Sequence, residues 1–271
     1  MTNHPVRPLW SPAPLCSVAL LWMLAACSGG GSSSDPIVLS TDPATAGDLF
    51  DVQQAINDAD PGDTVVVDAG TFEGRIVVTK SIVLVGQGAA TVFTGVSGLA
   101  DAAIEIRDAA GVEIRDVTVS SPNGGVRVRG CSDVLLEGVV ASQNGDDGIR
   151  IRSSSSVVVR DCDAIGNLGY GVRVEDSSDS VTLEGLLVES NVEDRVEVEA
   201  TMDFALRTSV VRDNLQNGVE IEDSVAVVVF DNDIENNVEY GVRVANTPIT
   251  AAELSADNRI TGNLQGNVRV E

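Results

Sequence analysis

From Gly124 onward, apolar and polar residues alternate in short bursts that return on a fixed beat. Gly-Gly-Val-Arg-Val starts at Gly124, Asp-Gly-Ile-Arg-Ile at Asp147 and Tyr-Gly-Val-Arg-Val at Tyr170. Asp-Arg-Val-Glu-Val starts at Asp194, Asn-Gly-Val-Glu-Ile at Asn217, Tyr-Gly-Val-Arg-Val at Tyr240 and Gly-Asn-Val-Arg-Val at Gly266. The intervals are 23, 23, 24, 23, 23 and 26 residues, and Ala102 opens an earlier, degenerate copy. Asn144, Asn167, Asn191, Asn214, Asn237 and Asn263 keep the same beat. Each unit also carries a second alternating run, as at 134–141, 181–188 and 204–211.

Period-2 alternation rich in Val and Ile predicts short strands. A fixed period of twenty-odd residues predicts that the units stack. Gly and Asn mark the corners, and a unit leaves almost no room for a helix. Each unit is therefore expected to be one coil of a solenoid, with like positions about 4.8 Å apart. Val126, Ile149, Val172, Val196, Val219 and Val242 then form one inward column. Val128, Ile151, Val174, Val198, Ile221 and Val244 form a second. The asparagines form a ladder of side-chain amides at one bend.

The stretch 61–88, PGDTVVVDAGTFEGRIVVTKSIVLVGQG, resembles the opening coils of NosD-type and carbohydrate-processing proteins of the pectin lyase-like superfamily. The resemblance spans about residues 47–271. It implies an all-β fold, a right-handed parallel β-helix of about nine or ten coils of 22–26 residues. Just before it, residues 48–59 place Leu49, Phe50, Val52, Ala55 and Ile56 on one helical face. Such a helix would cap the open end and hide strand edges. The other end is expected to be uncapped, because residues 267–271 fall inside a coil. Self-association through that C-terminal coil is one expected consequence.

The first residues do not belong to the repeat. Arg7 is the one charged residue before a short apolar run, Val18–Ala26, which predicts a signal peptide over 1–26 rather than a membrane span. Leu24-Ala25-Ala26-Cys27 resembles the lipobox of bacterial lipoproteins. That implies cleavage before Cys27, lipidation of its sulfur, and a membrane partner through the anchor. Ser28 after the cysteine implies the outer membrane of a bacterial cell envelope. Residues 27–46 read as a Gly/Ser-rich tether.

Composition removes further classes. The formal charge is −24, or −25 once Arg7 is lost with the leader. Nucleic acid is not an expected partner, since phosphate binding needs a basic face. His4, Trp10 and Trp22 all lie in the leader, so the remaining chain has no histidine or tryptophan. No Cys/His metal cluster exists, and no cofactor is expected. Cys131 and Cys162 fall at unlike offsets in adjacent coils and are expected to be free thiols. By register Cys131 aligns with Ser154 and Ser177. Asp146 and Asp147 admit three readings: a solvated turn first, then part of a Ca2+ site, then a catalytic pair. No EF-hand or nonapeptide pattern supports calcium.

The arginines carry the most specific signal. Arg107, Arg127, Arg129, Arg150, Arg152 and Arg173 crowd onto one outward strand face, and Glu175, Glu197, Glu199, Glu220 and Glu222 follow on later coils. Stacked like charges are unfavourable. The second strand instead alternates Arg115, Glu137, Arg160, Glu184, Arg207, as a structural ladder would. The segregated face is a candidate grip for the carboxylates or sulfates of an acidic glycan. Tyr170 and Tyr240, at corners three coils apart, could stack on sugar rings. The first expectation is therefore a non-enzymatic module that binds carbohydrate or a protein partner. A polysaccharide lyase using the arginine face and a structural or assembly protein are the alternatives.

Overall fold

The computed structural model describes residues 37–39, 49–98, 101–193 and 196–271. The leader, Cys27 and the Asp194 corner lie outside the described residues. The chain winds into a parallel β-solenoid. One sheet has nine strands in sequence order: β1 (Ile76–Val78), β2 (Ile104–Arg107), β3 (Val126–Arg129), β4 (Ile149–Arg152), β5 (Val172–Glu175), β6 (Val196–Glu199), β7 (Val219–Glu222), β8 (Tyr240–Ala245) and β9 (Gly266–Val270). The remaining strands form a 16-stranded parallel sheet in two rows that share the long strand Ala110–Val119.

The columns are those the periodicity predicts. Ile149 pairs with Val126 on one side and Val172 on the other, and Val172 pairs with Val196. Val128, Ile151, Val174 and Val198 stack in the same way and are fully buried. Each rung thus removes two branched aliphatic side chains from water in this sheet alone, about 1.5–3 kcal/mol apiece before ordering costs. Phe72 and Phe93 stack at 5.4 Å near the start of the solenoid.

Burying a corner requires partners for its backbone groups, and the asparagines supply them. Asn167 Oδ1 accepts from both the backbone N and Nδ2 of Asn144, at 3.0 and 2.8 Å. Asn167 Nδ2 donates to Ala141 O at 3.2 Å and to Asn191 Oδ1 at 2.8 Å. The pattern continues through Asn214, Asn237 and Asn263. A second ladder runs at another corner, where Ser154 Oγ accepts from Cys131 N at 3.1 Å and Ser178 Oγ from Ser154 N at 3.4 Å. This register corrects the expected alignment with Ser177. The corner holds one more residue, with Asp176 and Ser177 both left-handed.

Both ends carry helices. Helix α1 (Leu49–Asp58) buries Val52, Ala55 and Ile56, as expected of an N-terminal cap. Its Gln53 amide mimics a missing strand, accepting from Val77 N at 2.7 Å and donating to Val77 O at 3.1 Å. Lys80 Nζ closes the helix C-terminus on Asn57 O and Ala59 O at 2.7 and 2.5 Å. At the other end the expectation of an uncapped coil fails only in part, since Val268 is half-buried and Val270 stays 42% exposed on the edge strand β9. Helix α2 (Ala251–Asp257) lies against β9 and the edge strand Val225–Phe230, with Leu254 fully buried. It fits inside the lengthened last interval between Tyr240 and Gly266. Thr250 and Glu253 form a capping box at its start, a Thr-x-x-Glu signal legible in the sequence.

Candidate functional site

The outward residues of β2–β9 form two columns. The first holds Glu105, Arg127, Arg150, Arg173, Glu197, Glu220, Arg243 and Arg269. The second holds Arg107, Arg129, Arg152 and Glu175 in the coils where arginine is concentrated. Four of the six candidate arginines are neutralised. Arg150 donates to Glu175 at 2.8 Å through Nε, and it sits 3.7 Å from Asp147. Arg173 bridges Glu175 at 3.0 Å and Glu197 at 2.9 Å. Arg152 holds Asp176, and Arg127 lies 3.5 Å from Asp101. Glu175, although drawn outward, is buried beneath these guanidinium groups.

Arg107 and Arg129 are different. Among the described residues they are the arginines that form no salt bridge. They are direct register partners on β2 and β3, so their Cα atoms are about 4.8 Å apart. Arg129 is exposed and Arg107 half-buried. Two parallel cations at that spacing repel unless an anion lies between them. The next residues along the chain, Asp108–Ala110, Gly130–Ser132 and Ser153, line an open depression of about 480 Å³. Arg107, Arg129 and Arg152 immediately precede these segments, so an anion on the arginines has adjoining space for the rest of a ligand. Charge grouping in the sequence indicates the arginines but not which of them a carboxylate satisfies.

The opposite corner of the same sheet holds Asp146, Asp147 and Tyr170. It lies about 10 Å away, across the four-residue strands. Asp146 is exposed, but Asp147 is buried, which corrects the reading of both as a solvated turn. Asp147 Oδ1 accepts from Tyr170 N at 3.0 Å, as Asn217 Oδ1 accepts from Tyr240 N at 3.2 Å three coils later. Burial, then the charge of Asp146, lifts the Asp147 carboxyl to about 6, against the pull of Tyr170 N and Arg150. Burial also lifts Glu197 to about 7, although Arg173 and the Tyr170 hydroxyl favour its ionised form. Tyr170 is itself raised, by burial first and then by Glu197. No group of three or more metal-ligating side chains occurs among the described residues.

The tyrosines are not bare platforms. The Arg173 guanidinium lies 4.7 Å over the Tyr170 ring, and Arg269 lies 5.3 Å over Tyr240. Cys131 and Cys162 are free, as expected; both are buried, and burial pushes the Cys162 thiol up to about 12. The second-strand ladder is realised: Arg160 meets Glu137 at 2.6 Å and Arg207 meets Glu184 at 3.1 Å.

The family model described as a right handed beta helix region matches residues 101–264. No curated protein sequence gives a significant match. Among solved structures, the mannuronan C-5 epimerase AlgE6 A-module of Azotobacter vinelandii is 19% identical over 83% of this chain and 76% of its own, with a TM-score of 0.66. An alginate lyase from Paenibacillus sp. str. FPU-7 is 16% identical over 75% of this chain and 85% of its own, at 0.59. Pectate lyase Pel9A is 15% identical over 87% and 76%, at 0.61. At these identities the likeness is one of fold.

Proposed function

The chain belongs to the right-handed β-helix family, and from that premise we propose that it binds an acidic glycan on the outer face of β2 and β3. The observation that carries this reading is the unpaired Arg107–Arg129 step beside an open depression, in a chain of charge −24. Carboxylates outnumber arginines throughout the protein, yet none closes on these two. A planar guanidinium presents two parallel N–H donors that fit a carboxylate or sulfate, so two stacked guanidiniums hold one anion from two sides. The three structural neighbours are named for mannuronan, alginate and pectate, all polymers of uronic acids. That common chemistry supports an anionic sugar over a neutral one. The leader and Cys27 would display the module on the cell envelope, with the tether giving it reach.

A glycan array of neutral and uronate-rich polysaccharides tests the proposal. The wild type should retain uronate polymers, and Arg107→Gln with Arg129→Gln should lower retention at least tenfold. Arg160→Gln, whose charge already belongs to Glu137, should leave it unchanged. Equal retention by the double variant, or equal retention of neutral glycans by the wild type, ends the reading.

A second reading, catalysis on the same class of glycan, has one observation in its favour. Glu197, with its carboxyl near 7, and Tyr170 place two proton-exchanging groups beside Arg173. A lyase would release unsaturated uronates, whose ultraviolet absorbance should rise with time and vanish in Glu197→Gln. A flat trace on alginate and on pectate leaves binding alone.

A further inference from the structure

One surface feature adjoins the Asp146–Tyr170 corner and lies away from Arg107 and Arg129. The residue after each ladder asparagine points out of the coil, and in five successive coils it is aliphatic. Leu168, Val192, Leu215, Val238 and Leu264 are 61, 39, 56, 41 and 77% exposed. Backbone bonds between coils prove the stacking: Val192 N donates to Asn167 O at 3.0 Å, Val238 N to Asn214 O at 2.9 Å and Leu264 N to Asn237 O at 2.9 Å. The result is a single-file aliphatic stripe about 19 Å long. Isolated exposed leucines need no explanation, but five in register on so acidic a chain form a patch of the kind that marks an interaction site.

The neighbouring column supplies the charge. It reads Asp146, Gly169, Glu193, Gln216, Glu239 and Gln265, again fixed by backbone bonds between coils. Acids therefore recur on alternate rungs, about 9.6 Å apart. Asp146, Glu193 and Glu239 pair with no cation among the described residues. Three open carboxylates on alternate rungs beside an apolar stripe form an acidic rim.

We infer that this stripe docks a cationic amphipathic segment of another protein, its apolar edge on the five aliphatic side chains and its Lys or Arg residues on Asp146, Glu193 and Glu239. Charge complementarity selects that occupant. An anionic membrane is repelled by the chain's net charge of −24. A second copy of the chain would set one row of carboxylates against another. One face of an amphipathic helix rises about 5.4 Å per turn, close to the rung spacing, and a cation at every second turn falls near the acidic spacing. The docking surface is independent of the glycan face, because it uses neither Arg107 nor Arg129.

The test uses a fluorescein-labelled amphipathic Leu/Lys helical peptide as probe, read by anisotropy. The same peptide with Glu for Lys serves as control. The Lys peptide should bind the wild type and the Glu peptide should not. Leu168→Ser with Leu215→Ser and Leu264→Ser should weaken binding at least tenfold at unchanged circular dichroism. Glu193→Gln with Glu239→Gln should weaken it severalfold and flatten its dependence on salt. Undiminished binding by the triple serine variant would reduce the effect to bulk charge attraction and overturn the inference. So would a wild-type dimer in sedimentation velocity that Leu215→Ser dissolves, or retention on zwitterionic vesicles, since each assigns the stripe another occupant.

Discussion

Replacing Asn167 by alanine probes the ladder where its bonding is most complete. The side chain is fully buried and takes part in four hydrogen bonds: two accepted from Asn144 and two donated, to Ala141 O and Asn191 Oδ1. Alanine leaves the backbone N–H of Asn144 and one of the two hydrogens on its Nδ2 without an acceptor in a corner closed to solvent, while Nδ2 keeps Val119 O at 3.5 Å. An orphaned buried donor costs about 1–3 kcal/mol. Two of them, softened by local relaxation, give a loss of about 3–5 kcal/mol. Asn167→Asp keeps the acceptor for Asn144 but turns a carboxylate oxygen toward Asn191 Oδ1 and Ala141 O. It should be nearly as damaging at neutral pH and should recover as the pH falls and the carboxyl becomes a donor. Urea unfolding followed by circular dichroism measures both. Leu168→Ala, one residue along and exposed, should cost less than about 0.5 kcal/mol. Because each coil contacts only its neighbours, the loss should appear as early fraying around that coil. An Asn167→Ala variant within about 1 kcal/mol of wild type would show that the amide ladder decorates the corner without holding it.

Stability should fall as pH rises from about 4 to 8. Asp147 and Glu197 have folded values near 6 and 7, above the ordinary carboxylate range, so over that interval the native state binds more protons than the unfolded chain. Each group accounts for on the order of 2 kcal/mol, and Asp147→Asn with Glu197→Gln should flatten the part of the slope that general charge repulsion does not explain. Gly148→Ala should destabilise by about 1–3 kcal/mol, because its Cβ would lie 2.7 Å from both Asn167 Nδ2 and Gly171 O; an unchanged urea midpoint would count against the tight corner. Cys131 and Cys162 should resist a thiol reagent in the native protein and react on unfolding, and rapid native labelling of Cys162 would contradict its burial.

The coils were legible because a parallel solenoid repeats its environment. A residue and its counterpart about 23 positions on meet the same neighbours, so Ile149 above Val172 follows from spacing alone. The first cap was legible as an apolar helical face. The second helix was not, because one short helix inside a lengthened coil interrupts the beat without an apolar run; its Thr250–Glu253 box was the available signal. For the site, the columns were right but their energetics were not. Whether Arg150 is a free cation depends on where the Glu175 side chain folds, and alternation along a strand fixes faces without fixing rotamers. Asp147 looked like an exposed turn residue because local sequence does not show that the following coil covers it. Arg107 and Arg129 stand apart only once every other described arginine has been matched with its carboxylate.

Isothermal titration with defined oligomers of galacturonate and of alginate, at low salt, tests the central claim most directly. The account predicts that wild-type protein binds at least one of them, that Arg129→Gln binds it at least tenfold more weakly, and that added salt narrows the gap. Wild-type affinity in Arg129→Gln, or an equal loss in the already paired Arg160→Gln, would contradict it.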